Sequence, residues 1–285
     1  MTKLLLTTAL CCAASGAAAE LTYGAAFAKY HNLDGGGDDL DAHTLGAAAE
    51  YRFGAFLFSG EIGRIDLGGE DLDLASVGFG YEMPNGVMLG LDYTEFDVLG
   101  DDAGVASAYA AYTFGEYTLG LSVGDSSDLS ETTYSIFGAW DVTPGGTVGL
   151  DAVRIEGETL LAGYADYELD RYDVQADLVS TEGLDVFAVA GGYDLGNRFS
   201  LIGSLGYLDL DGTQAKALTV GGQYEITPGA NVELAVGRID VDDGDNIDLV
   251  TFGVGFETGR RTSKRRTLGN IFTSATGSVI GLTNF

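Results

Sequence analysis

The sequence predicts an all-β fold: a transmembrane, antiparallel, up-and-down β-barrel of 16 strands, or of 14 if one hairpin slips. Three observations predict it. Hydrophobic residues alternate with small or polar ones in runs of about ten, which puts one face of each run in an apolar medium and the other in a polar one. Two classes of connection, one short and one acidic, join the runs in strict alternation. A secretory leader precedes them, and no later stretch approaches the ~18 consecutive apolar residues of a membrane-spanning helix.

Residues 1–19 read as the leader. Lys3 supplies its positive region, Leu4-Leu5-Leu6 opens its apolar stretch, and Ala17-Ala18-Ala19 forms a small-x-small cleavage site before Glu20. Cys11 and Cys12 both lie in this segment, so the mature chain is expected to hold no disulfide, thiolate metal site or cysteine nucleophile. The 285 residues carry 43 acidic and 14 basic side chains, a net charge of −29. That balance excludes a nucleic-acid partner held by phosphate neutralisation, which needs a basic face. A hydrophobic fraction of 46%, with 15 Tyr and 14 Phe, argues against disorder.

The strands follow in order, from about residues 21–31 to about 247–256. Phe56, Phe58, Gly60 and Ile62 share one face, and Leu57, Ser59, Glu61 and Gly63 the other. The same alternation runs through Tyr117, Leu119, Leu121 and Val123, through Val232, Leu234 and Val236, and through Val250, Phe252, Val254 and Phe256. The opposite face is rich in Gly, Ser and Thr with scattered carboxylates. The short connections include Phe53-Gly54-Ala55, Met83-Pro84-Asn85-Gly86, Phe114-Gly115-Glu116, Thr143-Pro144-Gly145-Gly146, Leu169-Asp170-Arg171, Leu195-Gly196-Asn197 and Thr227-Pro228-Gly229. All three prolines sit in them, as expected for a residue that cannot donate to a sheet ladder. Successive markers at 54, 84, 115, 144, 170, 196 and 228 are 30, 31, 29, 26, 26 and 32 residues apart. The acidic connections fall between them, at 34–41, 66–73, 97–102, 125–131, 156–158, 182–185, 209–211 and 240–248.

An even strand number returns both ends to the side of the short turns. Aromatic residues crowd that side: Tyr51, Phe53, Tyr81, Tyr112, Phe114, Tyr117, Trp140, Tyr167, Tyr172, Tyr193, Phe199, Tyr224 and Phe256. Amphipathic rings collect at a membrane–water interface. Ten residues at ~3.3 Å each, tilted ~40°, span ~25 Å, the apolar height of an outer-membrane barrel. A soluble β-sandwich would have to bury 16 apolar faces without disulfides, and a β-solenoid has shorter, stacked repeats. In lipid a closed barrel is the strand structure that satisfies every backbone group.

The short turns of the form aromatic-x-Leu/Phe-Gly, as in Tyr112-Thr113-Phe114-Gly115 and Tyr193-Asp194-Leu195-Gly196, resemble those of Gram-negative general-diffusion porins of the alphaproteobacterial type. The expected mature start, Glu20-Leu21-Thr22-Tyr23-Gly24, is similar as well. The resemblance covers residue 20 to about 258. It implies a 16-stranded barrel in the outer membrane of a Gram-negative bacterium, passing small hydrophilic solutes down their gradient, commonly as a homotrimer. Two departures stand out. The third acidic connection is too short for the long loop that constricts family lumens. The apolar run ending at Phe256 is followed by more chain, where family members usually stop at a terminal Phe.

Three segments result: a leader at 1–19, a barrel at 20–258 and a basic tail at 259–285. Arg260, Arg261, Lys264, Arg265 and Arg266 fall in the tail. Residues 20–256 then hold eight basic and 42 acidic groups, a charge of −34. The tail reads either as an extension with no specific role or as a basic segment that enters the acidic lumen and narrows it. Phe285 could serve as a terminal assembly residue, although Thr283 and Gly281 do not continue the apolar alternation.

Catalytic chemistry finds little support. Gly120-Leu121-Ser122-Val123-Gly124 matches a Gly-x-Ser-x-Gly pattern but sits within a strand, without the turn and helix of a nucleophile elbow. His31 and His43 flank the first acidic connection and read as rim residues. The chain is therefore expected not to be an enzyme and to need no cofactor. Asp240-Val241-Asp242-Asp243-Gly244-Asp245 departs from calcium-loop spacing, which leaves weak divalent cation binding at the acidic connections, bridging lipopolysaccharide phosphates. By parity Glu50, Arg52, Glu61, Glu82, Asp92, Asp151, Asp173, Asp177 and Glu233 line the pore. Eight carboxylates against one guanidinium predict weak cation selectivity. The expected partners are outer-membrane lipid, lipopolysaccharide, small solutes and cations. The alternative reading is a structural or adhesive outer-membrane barrel with an occluded lumen.

Overall fold

The computed structural model describes residues 20–262, except 36–37, 69, 99–100, 127–131, 144, 156, 243 and 245. The expected leader with both cysteines, and the tail beyond Thr262 with Phe285, lie outside the described residues. The first eight strands are β1 (Glu20–Gly35), β2 (Asp38–Phe53), β3 (Phe56–Leu67), β4 (Glu70–Glu82), β5 (Val87–Val98), β6 (Asp101–Phe114), β7 (Tyr117–Ser126) and β8 (Thr132–Thr143). The remainder are β9 (Gly146–Ile155), β10 (Glu158–Leu169), β11 (Tyr172–Thr181), β12 (Leu184–Gly196), β13 (Phe199–Leu210), β14 (Thr213–Thr227), β15 (Ala230–Val241) and β16 (Ile247–Gly259). Each pairs antiparallel with its sequence neighbours. β1 closes on β16 in an unbroken register from Tyr23↔Gly259 to Asp34↔Asp248. The barrel is therefore the 16-stranded alternative, with both ends of the sheet on the short-turn side.

The acidic stretches differ from expectation. They are largely strand rather than loop: β3 runs to Leu67 and β4 resumes at Glu70, and β5 runs to Val98 with β6 resuming at Asp101. Turn chemistry permits such tight reversals. Asp211 (φ 51°) and Gly212 (φ 86°) both take the left-handed conformation, as do Asn197 (φ 56°) and Arg198 (φ 70°) on the opposite side. Two positive-φ residues in succession make the hairpin turn whose twist matches that of the strands it joins.

The exterior reads as a surface built for lipid. Leu91, Leu121, Ile136 and Leu234 point outward and are 60%, 61%, 67% and 59% exposed. A contiguous apolar band of this kind has no place in water. On the short-turn side the band ends in a girdle of rings in contact, some stacked and some tilted. Tyr112, Phe114, Tyr117 and Trp140 follow one another around the wall at centroid separations of 5.7, 5.7 and 5.9 Å. Tyr172–Tyr193 and Phe199–Tyr224 continue it at 4.8 and 4.7 Å. Tyr30, Tyr93, Tyr134 and Tyr207 bound the other side. Phe199 and Tyr207 lie eight residues apart on β13. At ~3.3 Å per residue and ~40° of tilt, that separation is about 20 Å of height, close to an outer-membrane apolar band.

Beyond the second aromatic level the two faces exchange character. Arg64, Asp71 and Asp73 lie outward on β3 and β4, Arg64 pairing with Asp71 and lying 3.8 Å from Asp73. Arg238 and Asp248 pair outward at 2.8 Å on β15 and β16. The inner face at this level is apolar. Val153, Leu160, Ala162, Val179 and Val186 form one buried cluster, and Leu33, Ala42, Ala217, Ile239 and Leu249 another. Strands that outrun the lipid meet water on the outside, so their polarity reverts to that of a soluble barrel.

Arginine at an outward mid-band site should therefore be costly, and arginine above the band should not. Leu121→Arg is expected to lower stability in lipid by about 2–4 kcal/mol, and Glu95→Arg by no more than about 1 kcal/mol. Denaturant titration of both variants refolded in bilayers checks the difference.

Candidate functional site

The candidate site is the inner wall, set by strand parity. Ladder pairs place Glu50 level with Ser59 and Tyr23, Glu61 with Ser76, and Arg52 with Leu57. They place Asp92 level with Ser107, Asp151 with Phe137, Asp173 with Gly192, Asp177 with Ala188, and Glu233 with Gly253. Glu82 joins this face through Arg52, whose guanidinium donates to its carboxylate at 2.5 Å. All nine residues singled out from the sequence thus share the inner face, distributed over seven strands. They form no single cluster.

Parity reasoning overlooked several inward groups. Lys29 is a second inner cation, 7% exposed, with its ammonium 2.7 Å from Glu233. Asp166 and Glu168 also face inward on β10, where adjacent Leu160 and Leu161 obscure the alternation; the ladder puts Leu160 inside and leaves Leu161 42% exposed outside. Asp141 and Glu225 stand beside register shifts at the ends of β8 and β14, which conceal their parity. Glu257 belongs to β16, which runs to Gly259. Among the described strand residues, Lys29 and Arg52 are the cations of an otherwise acidic inner face.

Neutral donors orient many of these carboxylates. Ser107 donates to Asp92 at 2.5 Å, Gln175 to Asp177 at 2.8 Å, Thr147 to Asp141 at 2.9 Å and Thr22 to Glu50 at 2.7 Å. A hydroxyl or amide donor fixes the carboxylate's direction without itself neutralising the charge.

Glycine has a specific task on this face. A Cβ at Gly90 would fall in the ring of Tyr109, at Gly120 in that of Phe137, and at Gly149 in that of Tyr164. Each ring lies flat over a glycine on the neighbouring strand. Large inward side chains thereby hug the wall instead of projecting into the lumen. The carboxylates of Asp173 and Glu233 rest over Gly192 and Gly253 in the same manner.

The histidines depart from the rim assignment. His31 lies within β1, inward and fully buried, with Nδ1 2.9 Å from the Thr251 hydroxyl. His43 lies within β2 on the opposite face, its ring centroid 5.3 Å from that of Tyr30. The wall separates the two rings, so they share no site. Ser122 is mid-strand in β7, paired with the Ser135 hydroxyl at 2.7 Å. The acidic stretch after Asp240 falls partly outside the described residues, and among the described residues no group of three or more His, Asp or Glu side chains is placed to hold a metal.

The Lys29–Glu233 pair is deeply enclosed, its two side chains 5% and 8% exposed. Lys29→Met is expected to destabilise the barrel by about 3–5 kcal/mol, because Glu233 stays buried without its cation. Adding Glu233→Leu should recover most of that loss, as read from heat-dependent gel mobility of the folded barrel.

Neither a protein-family model nor a curated protein matches the sequence. Among solved structures, one mutant of the porin of Rhodopseudomonas blastica aligns with a TM-score of 0.50 and 13% identity, covering 84% of this chain and all of that one. A triple mutant of the same porin aligns with a TM-score of 0.49 and 12% identity over the same extents. At such identity the likeness concerns architecture alone, and the architecture is a porin-type 16-stranded barrel.

Proposed function

We propose that this chain is an outer-membrane channel through which ions and small hydrophilic solutes diffuse passively, with weak selectivity for cations. The observation that carries this reading is the inner face below the apolar level: carboxylates on many strands, two cations, and rings laid flat over glycines. A continuous acidic wall raises the local concentration of cations and lowers that of anions, while its breadth leaves no single tight site to trap an ion. The short turns would face the periplasm and the acidic ends the cell exterior, as is usual for such barrels. There the acidic strand ends suit contact with lipopolysaccharide through divalent cations.

A second reading is a structural or adhesive barrel with an occluded lumen. It is favoured by the apolar inner clusters at the acidic end, where Val179 and Leu249 are 1% exposed. An apolar zone in a channel resists wetting and can itself be the barrier. Liposome swelling with sugars of graded size separates the two. Swelling by the smaller sugars supports the channel, and no swelling at any size supports the occluded barrel.

Selectivity is tested by reversal potential in a salt gradient. The unmodified channel should favour potassium over chloride, and a preference for chloride would contradict the acidic-wall argument. Asp151→Asn combined with Asp177→Asn should move the reversal potential towards zero, because two inner charges are removed with little change in volume.

A further inference from the structure

The chain does not leave the barrel when β16 ends. Gly259 takes φ +73°, and a Cβ there would overlap the Thr22 carbonyl, so glycine alone fits. The Arg260 N–H then donates to that same carbonyl at 2.7 Å and turns the chain over the edge of β1. Arg260 pairs with Glu168 on β10. Arg261 reaches the other way: its guanidinium lies 4.8 Å from the Tyr23 ring centroid and 3.6 Å from the Glu61 carboxylate on β3. Thr262 donates to the Glu50 carboxylate twice, from its N–H at 2.7 Å and its hydroxyl at 2.6 Å, and accepts from Arg52 at 3.3 Å.

β3 and β10 are seven strands apart in a ring of 16, and consecutive arginines contact both. Three residues therefore bridge the short-turn opening between facing walls. Their partners form a built site for a guanidinium-bearing strand: Glu50, Glu61 and Glu168 supply charge, Tyr23 a ring face, Thr22 fixes Glu50 from the side, and Arg52 holds the Thr262 hydroxyl. Burial in the opening works against the Arg261 charge, but Glu61, Tyr23 and Glu50 together outweigh it and hold the group above the ordinary arginine range.

We propose that this opening is a binding site for a basic peptide segment, and that its resident occupant is the chain's own Arg260–Thr262, a tethered plug that restricts the pore from the short-turn side. Ser263-Lys264-Arg265-Arg266 follow Thr262 in the sequence. Arg260 and Glu168 are 64% and 62% exposed, so salt screens that contact, and the plug is a releasable one. The inference rests on the channel reading above.

Single-channel conductance in planar bilayers tests it on three proteins: the full chain, a chain ending at Gly259, and the full chain with Arg260→Glu and Arg261→Glu. Both altered proteins should conduct roughly twofold or more above the full chain at low salt, with the difference shrinking as salt screens the native contacts. Both should also favour cations more strongly. A peptide of sequence Arg-Arg-Thr-Ser-Lys-Arg-Arg, added on the short-turn side, should block the shortened channel and do so less at high salt. If the shortened chain does not assemble, the double-glutamate protein provides the same comparison. Equal conductance in all folded proteins, with no block by the peptide, overturns the plug and leaves the channel standing. No conductance from any protein that migrates as a folded barrel overturns the channel reading and the plug with it.

Discussion

Within lipid no water is present to satisfy a backbone N–H or C=O, so each must find its partner inside the protein. The rest of this structure depends on that constraint. It makes the pairing of β1 with β16 obligatory, because an open sheet would leave two rows of unpaired groups in hydrocarbon. The register from Tyr23↔Gly259 to Asp34↔Asp248 closes that seam over the full height of the wall. Closure in turn fixes parity for every strand at once: a residue faces lipid or lumen according to its position in a single continuous ladder. The apolar band, the aromatic girdle and the acidic inner face are three consequences of that one assignment.

The inner face solves a problem that closure creates. A wall carrying tyrosine, phenylalanine and long acidic side chains would choke its own lumen if those groups stood upright. Glycine on the adjacent strand removes the obstruction, since Tyr109, Phe137 and Tyr164 each lie over one. Glycine within a strand is ordinarily a weakness. Here the ring supplies the packing that the missing side chain would have given, and the abundance of glycine in the sequence acquires a physical cause.

Charge is arranged by level as well as by face. Above the lipid the carboxylates turn outward, where Arg64 and Arg238 neutralise a few of them, and the inner face packs Leu, Ile and Val. Through the lower lumen they turn inward and are held by hydroxyl and amide donors. At the short-turn opening they meet Arg260 and Arg261. The overall charge of −29 averages across three different electrostatic settings.

The sequence by itself determined the strand architecture, because a period of two is imposed by backbone geometry and leaves its trace in residues such as Val250, Phe252, Val254 and Phe256. It determined the sides of the barrel too, through prolines confined to one class of turn. Nine inner-face residues could be read by the same parity, with Asp166 and Glu168 lost where Leu160-Leu161 interrupts the alternation and Asp141 and Glu225 lost beside bulges. Only the tertiary structure decided that the acidic stretches are strand ends, that His31 and His43 face opposite ways, and that Lys29 meets Glu233 across an intervening glycine. It also decided the direction taken after Gly259. These depend on which strands become neighbours and on how the barrel closes, and a local pattern along one strand does not encode the identity of the residue two strands away.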